Sequence, residues 1–180
     1  GLLQTKPSDD RLSPQDANEI VEACVKMAEV KTGALIVIER NVSMGDIVSA
    51  SGVTVDAVIS SQLLINIFED KTPLHDGAVI IRDNRVAAAS CILPVTQSEI
   101  GQELGTRHRA AVGASEVSDA FIIVVSEETG KISIARDGKL EKAVSEAVFR
   151  QELLNLCEKT TPAGAKAINK IWKGMSRHDK

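Results

Sequence analysis

Apolar positions along the chain fall into distinct patterns, and each predicts an element. Ile20, Val21, Cys24, Val25 and Ala28 recur at helical spacing on one face. They follow Ser13-Pro14-Gln15-Asp16, where Ser13 can cap, Pro14 suits the first helical position and Asp16 sits three residues after the cap. Lys31-Thr32-Gly33 ends that helix. Ala34 to Ile38 is a continuous apolar run, the pattern of a buried central strand. Phe121 to Val125 and Ala78 to Ile81 are further apolar strands. Asp83-Asn84 forms a tight turn, and Arg85 to Leu93 runs back as the hairpin partner, ended by Pro94. Val53 to Val58 alternates and predicts a short strand. Lys131 to Ala135 also alternates, which turns one face outward, and Asp137-Gly138 makes another hairpin.

Shorter helices fill the spaces between. Ser43 to Ala50 is closed by Gly52. Ser60 or Ser61 caps a helix through Phe68, with Leu63, Leu64, Ile67 and Phe68 inward. Pro73 breaks the chain after it. Val95 to Gly105 is a mostly polar loop, and Thr106 is placed to cap a helix through about Glu116. Val144 to Cys157 is a helix, and Pro162 to Met175 predicts a terminal amphipathic one. Strands mixed with helices and hairpins predict an α/β fold: one layered domain with a central mixed sheet flanked by helices. The expected divisions are a linker over 1–12, the domain over 13–158, and a basic tail or helix over 159–180.

Composition sharpens this picture in a few places. The 180 residues suit one domain with a sizeable core, and aromatics at 2% make that core aliphatic. A net charge of −4 argues against a broad basic surface for nucleic acid, so any phosphate binding must come from a local cluster. Cys24, Cys91 and Cys157 are odd in number and widely spaced, which predicts reduced thiols, with neither a disulfide frame nor a zinc site. No apolar run approaches the roughly 20 residues that a membrane helix needs, and no signal peptide is visible.

Two stretches carry the candidate chemistry. Thr72 to Ile81, T-P-L-H-D-G-A-V-I-I, puts an imidazole, a carboxylate and a glycine at the mouth of an apolar strand. Glu103 to Gly113, E-L-G-T-R-H-R-A-A-V-G, puts two guanidinium groups around an imidazole at the start of a helix. Taken alone, Asp76-Gly77 reads as turn chemistry and Arg107-His108-Arg109 as a solvated basic triplet. Together they pair a proton acceptor with a phosphate-holding cluster, as nucleotidyl transfer requires.

The pair Asp76-Gly77-Ala78 and Arg107-His108-Arg109 resembles the two signatures of the diadenylate cyclase family. Lys31 to Arg40 (K-T-G-A-L-I-V-I-E-R), Ser60 to Phe68 and Val124 to Gly130 (V-V-S-E-E-T-G) are similar to it as well. The resemblance covers about Asp16 to Leu156 and is closest to the class whose cyclase domain follows membrane helices. It implies condensation of two ATP into cyclic di-AMP with release of two diphosphates. Asp76 would be the base that takes the proton of the attacking ribose hydroxyl, and Gly77 and Ala78 would let the nucleotide approach. Thr106, Arg107 and Arg109 would hold phosphates, with His108 either donating to phosphate or packing. Ser126 and Glu128 would touch the nucleotide, and backbone near Leu93 the base. A divalent ion would assist. An imidazole from His75 favours manganese, with cobalt or magnesium as alternatives, and Glu127 is a candidate further ligand. The related class has tyrosine where this chain has Ile92, so base stacking is lost. The product's two-fold symmetry implies a homodimer with sites face to face. The resemblance also implies a cytoplasmic domain in a protein anchored to the cell membrane by an upstream segment. A non-catalytic adenine-nucleotide sensor on the same fold is the competing expectation.

Overall fold

A computed structural model describes residues 12–158. The elements in chain order are α1 (Pro14–Glu29), β1 (Ala34–Ile38), α2 (Gly45–Ser51), β2 (Val53–Val58), α3 (Ser61–Phe68), β3 (Ala78–Arg82) and β4 (Arg85–Cys91). They continue with α4 (Thr106–Glu116), β5 (Phe121–Val125), β6 (Ile132–Arg136), β7 (Lys139–Glu141) and α5 (Glu146–Cys157). The strands form one sheet in the order β2-β4-β3-β1-β5-β6-β7. Only the β1–β3 pair is parallel; the other neighbours are antiparallel. The expected mixed sheet flanked by helices is what forms.

Alternation along the strands sends successive side chains to opposite faces, so the sheet has two cores. Ile36, Ile38, Val79, Ile81, Ile123 and Val125 meet Ile20, Cys24 and Met27 of α1, Leu64 and Phe68 of α3, and Phe149 and Leu153 of α5. Leu35, Val37, Ile80, Ile122 and Val124 meet Ala111, Val112 and Ala114 of α4 on the other face, with Leu93 and Met44 alongside. Every residue of β1 and of β5 is buried, which is why those runs are apolar without interruption.

Local chemistry sets the ends of the elements. The Ser13 hydroxyl accepts from Asp16 N–H and caps α1, as its spacing predicts. Ser60 caps α3 and Ser145 caps α5 in the same way. Asp83 and Asn84 both adopt positive φ, at 51° and 57°, and make the two-residue hairpin turn.

Three details depart from expectation. The N-cap of α4 is Gly105, with extended backbone and no capping side chain; Thr106 is the first helical residue. Strand β6 does not turn a face outward: Ile132, Ser133, Ile134 and Ala135 are all buried, because helices cover both sides of the sheet there. Leu12, expected in a linker, packs into the core. The terminal helix expected over 162–175 lies outside the described residues.

Candidate active site at one end of the sheet

The strand registers bring both signatures to the same end of the sheet. Ile36 pairs with Val79, so Gly77 lies level with Ala34 at the start of β1. Ala34 pairs with Val125, so Gly33 and Ser126 stand side by side one step further out. Ala78 pairs with Cys91, which sets Ile92 next to Gly77. Ile92, Gly77, Ala34 and Val125 thus form a row across β4, β3, β1 and β5, with Asp76, Gly33 and Ser126 one step further out. The end of β3 that carries Asp76 is two inter-strand steps from β5, roughly 10 Å.

Asp76 is placed by its surroundings. Gly77 has φ 93°, a conformation that favours glycine. A Cβ there would lie 2.8 Å from the Cys91 carbonyl oxygen. The glycine is therefore required by the close pass of β3 against β4, whatever else approaches it. Ser90, itself at φ 58° in the irregular part of that pairing, donates its hydroxyl to the Asp76 carbonyl at 2.9 Å. The Asp76 carboxylate is left 87% exposed. His75 Nδ1 lies 2.6 Å from the Thr72 carbonyl, which can only accept, so Nδ1 carries the hydrogen. His75 Nε2 then faces the carboxylates of Asp76 at 3.4 Å and Asp70 at 3.7 Å.

On the α4 side of the sheet end lies a cleft of about 450 Å³. Thr106, Arg107, His108, Ser126, Glu127 and Glu128 line it, so the structure brings these expected residues together. Lys131, Ser133, Lys142 and Glu103 are also among its walls. Arg107 Nη1 pairs with Glu127 Oε2 at 3.2 Å, and Lys142 Nζ spans to Glu103 Oε1 at 3.2 Å. His108 is buried; desolvation, and then the neighbouring Arg107 charge, push its pKa below the ordinary value. The imidazole is thus held neutral, with a single N–H to offer. Because Gly105 rather than a hydroxyl residue caps α4, the first helical N–H groups and the Thr106 hydroxyl keep their hydrogen-bonding capacity for a ligand.

Other expected residues stand apart. Asp76, Gly77 and Ala78 do not line the cleft, and Ala78 is fully buried in β3. The Leu93 side chain belongs to the core. Arg109 does not join Arg107: two residues on a helix are about 200° apart around its axis. Its Nη2 reaches the Gly101 carbonyl at 3.4 Å, and its backbone carbonyl accepts from Thr96 N–H at 3.1 Å. Arg109 therefore ties α4 to the loop ahead of it. His75 and Glu127 do not meet. Among the described residues no group of three or more His, Cys, Asp or Glu side chains is arranged to hold a metal ion. His75 Nε2, beside the Asp76 and Asp70 carboxylates, is thus a single imidazole donor and not part of a resident cage. Ser90, Lys131 and Lys142 were not legible as site residues, since nothing local marks a serine in a strand or single lysines as such.

Comparison with known proteins gives this geometry its context. The family model for DisA bacterial checkpoint controller nucleotide-binding domains matches residues 21–140. The cyclic di-AMP synthase CdaA of Bacillus subtilis is 51% identical over 135 residues, covering 74% of this chain and 49% of that protein. A diadenylate cyclase of Listeria monocytogenes is 46% identical over 165 residues, covering 89% of this chain and 60% of that protein. The chain thus spans about half to three fifths of the length of these relatives. The crystal structure of a double mutant of DacA from Staphylococcus aureus superposes with TM-score 0.78 at 44% identity, covering 81% of this chain and 97% of that one. A protein from Bacillus cereus described as a hypothetical membrane spanning protein superposes with TM-score 0.68 at 43% identity, covering 77% of this chain and 67% of that one. With both signatures at one end of a matching fold, the chain belongs to the DisA-type nucleotide-binding family, that of the diadenylate cyclases.

Proposed function

We propose that the protein is a diadenylate cyclase that joins two ATP molecules into cyclic di-AMP. One observation carries this: Asp76 and the Arg107 cleft lie at the same sheet end, roughly two strand spacings apart. A nucleotide laid across the strands puts its ribose near Asp76 and its outer phosphates in the cleft. Asp76 takes the proton from a ribose 3′-hydroxyl, whose oxygen forms a bond to the α-phosphorus of the other ATP. The bond from that phosphorus to the diphosphate breaks, and the same exchange on the second ribose closes the ring. Arg107, Thr106, Ser126 and the α4 backbone N–H groups hold the phosphates. A divalent ion, manganese by the presence of an imidazole donor, supplies charge to the leaving diphosphate when bound. His75 would be its protein ligand, and Glu127 would add to it only by leaving Arg107.

One site holds one ATP in one orientation, so a second copy of the chain related by a two-fold axis presents the second ATP. Among the described residues no helix is long and apolar enough to cross a membrane. Attachment to the membrane through a segment outside the described residues is part of this proposal, supported by the Bacillus cereus likeness.

The test is incubation with ATP and manganese, followed by mass spectrometry for cyclic di-AMP. Product is expected from the wild type. Asp76→Asn is expected to make none while still binding ATP. Wild-type binding without product would instead favour the sensor. Synthesis by Asp76→Asn within a few-fold of wild type would remove Asp76 from the base role.

A further inference from the structure

We infer that Gly33 is a positioning residue: it exists to seat the Arg107 guanidinium. This rests on the proposed binding of ATP phosphates by Arg107. Gly33 lies just ahead of β1, beside Ser126 in the register. A Cβ built on it would lie 2.6 Å from Arg107 Cζ, 2.6 Å from Nη1 and 3.1 Å from Nε. The guanidinium therefore occupies the volume that any other residue's side chain would take. It lies against bare backbone at position 33 and pairs with Glu127 at 3.2 Å, its side chain only 23% exposed.

The other reasons for a glycine are absent here. Gly77 and Gly130 have positive φ, at 93° and 69°, whereas Gly33 does not. Gly113 passes close to a backbone carbonyl, whereas the atoms nearest to Gly33 all belong to the far end of one flexible side chain. Alanine at 33 is therefore compatible with the fold. It displaces the guanidinium by about 1 Å, the gap between 2.6 Å and an ordinary van der Waals separation. Paired N–H bonds from a rigid planar fork do not survive that shift intact.

Titration calorimetry of the full chain with ATP and with AMP tests this, using wild type, Gly33→Ala, Arg107→Ala and the double variant, each checked by thermal melting. Gly33→Ala is expected to weaken ATP about tenfold and AMP less than about twofold, since lost charge-assisted hydrogen bonds fall on the outer phosphates alone. In the Arg107→Ala background it is expected to add nothing. An Arg107→Lys background gives a second measure: the narrower lysine clears a Cβ, so the Gly33→Ala penalty should shrink there. ATP binding by Gly33→Ala equal to wild type, with Arg107→Ala impaired, overturns the inference and leaves the proposed function standing. An equal Gly33→Ala penalty with and without Arg107 overturns it too. Wild-type protein that binds ATP no better than AMP removes the phosphate role of the cleft, and the inference with it.

Discussion

Ile92 stands at the sheet end beside Gly77 with 73% of its surface exposed. Its N–H is held by the Ser51 hydroxyl at 2.9 Å, so the position is fixed even though the side chain is open. A flat ring there would offer a stacking surface to a base. Ile92→Tyr is expected to tighten ATP binding toward the low end of the ~1–3 kcal/mol typical of base stacking, since isoleucine already gives some contact. Calorimetry without a gain would place adenine elsewhere. The two arginines should separate as their directions do. Arg107→Ala should weaken ATP far more than AMP. Arg109→Ala should act through the loop it tethers and weaken both to a similar degree, and a selective loss of ATP there would place its guanidinium on phosphate. His108 gives a pH prediction. Its pKa is lowered by burial, so the unfolded chain binds the proton more readily than the folded one. Stability from this group is therefore whole above the unfolded value of about 6.5 and lost as pH falls from there toward the folded value. Melting temperature should fall as pH drops below about 6.5, and His108→Gln should flatten that slope; an unchanged slope would assign it to other groups.

At the scale of elements, α4 is held by a close approach that sequence alone does not announce. A Cβ on Gly113 would lie 2.1 Å from the Pro94 carbonyl oxygen and 2.7 Å from Thr96 N, both backbone. Gly113→Ala should therefore cost about 1–3 kcal/mol, as overpacking does. It should also loosen the segment that carries Arg107, and a melting temperature equal to wild type would contradict the fit. Other features were legible in the text. Unbroken apolar runs marked β1 and β5 because both faces of the sheet are covered, and serine caps marked α1 and α3 because capping is decided within a few residues; the Ser145 cap of α5 was not read from the sequence. The two signatures located the site because each lies within a single segment. What escaped was long-range. Thr106 looked like a cap because its residue type suits one, yet Gly105 already turns the chain. Strand β6 alternates in polarity, yet Ser133 is buried and accepts from Ala143 N–H at 3.2 Å. Gly33 reads as a helix stop, and its second role needs Arg107, which is distant in sequence.

For the whole molecule, assembly is the decisive expectation. Specific activity should rise with enzyme concentration over the range where the two-fold dimer forms. Asp76→Asn subunits mixed with wild type should depress activity beyond dilution, because a mixed pair completes only one of two bonds. Constant specific activity in protein shown by light scattering to stay monomeric would refute this. Helix α1 adds a mechanical consequence. At its start, Ser13 N–H is held by the Asn84 side chain, at the hairpin end of β3 and β4. At its other end, Gly130 of the turn that follows Glu127 and Glu128 packs so tightly on the Ala28 carbonyl that a Cβ would lie 2.4 Å away. The helix is a strut pinned to both ends of the sheet, and its length is a gauge. One extra turn would push the two anchor points apart by about 5.4 Å, a stretch that hydrogen-bonded strands cannot follow, so an insertion in α1 should break one of the two anchors.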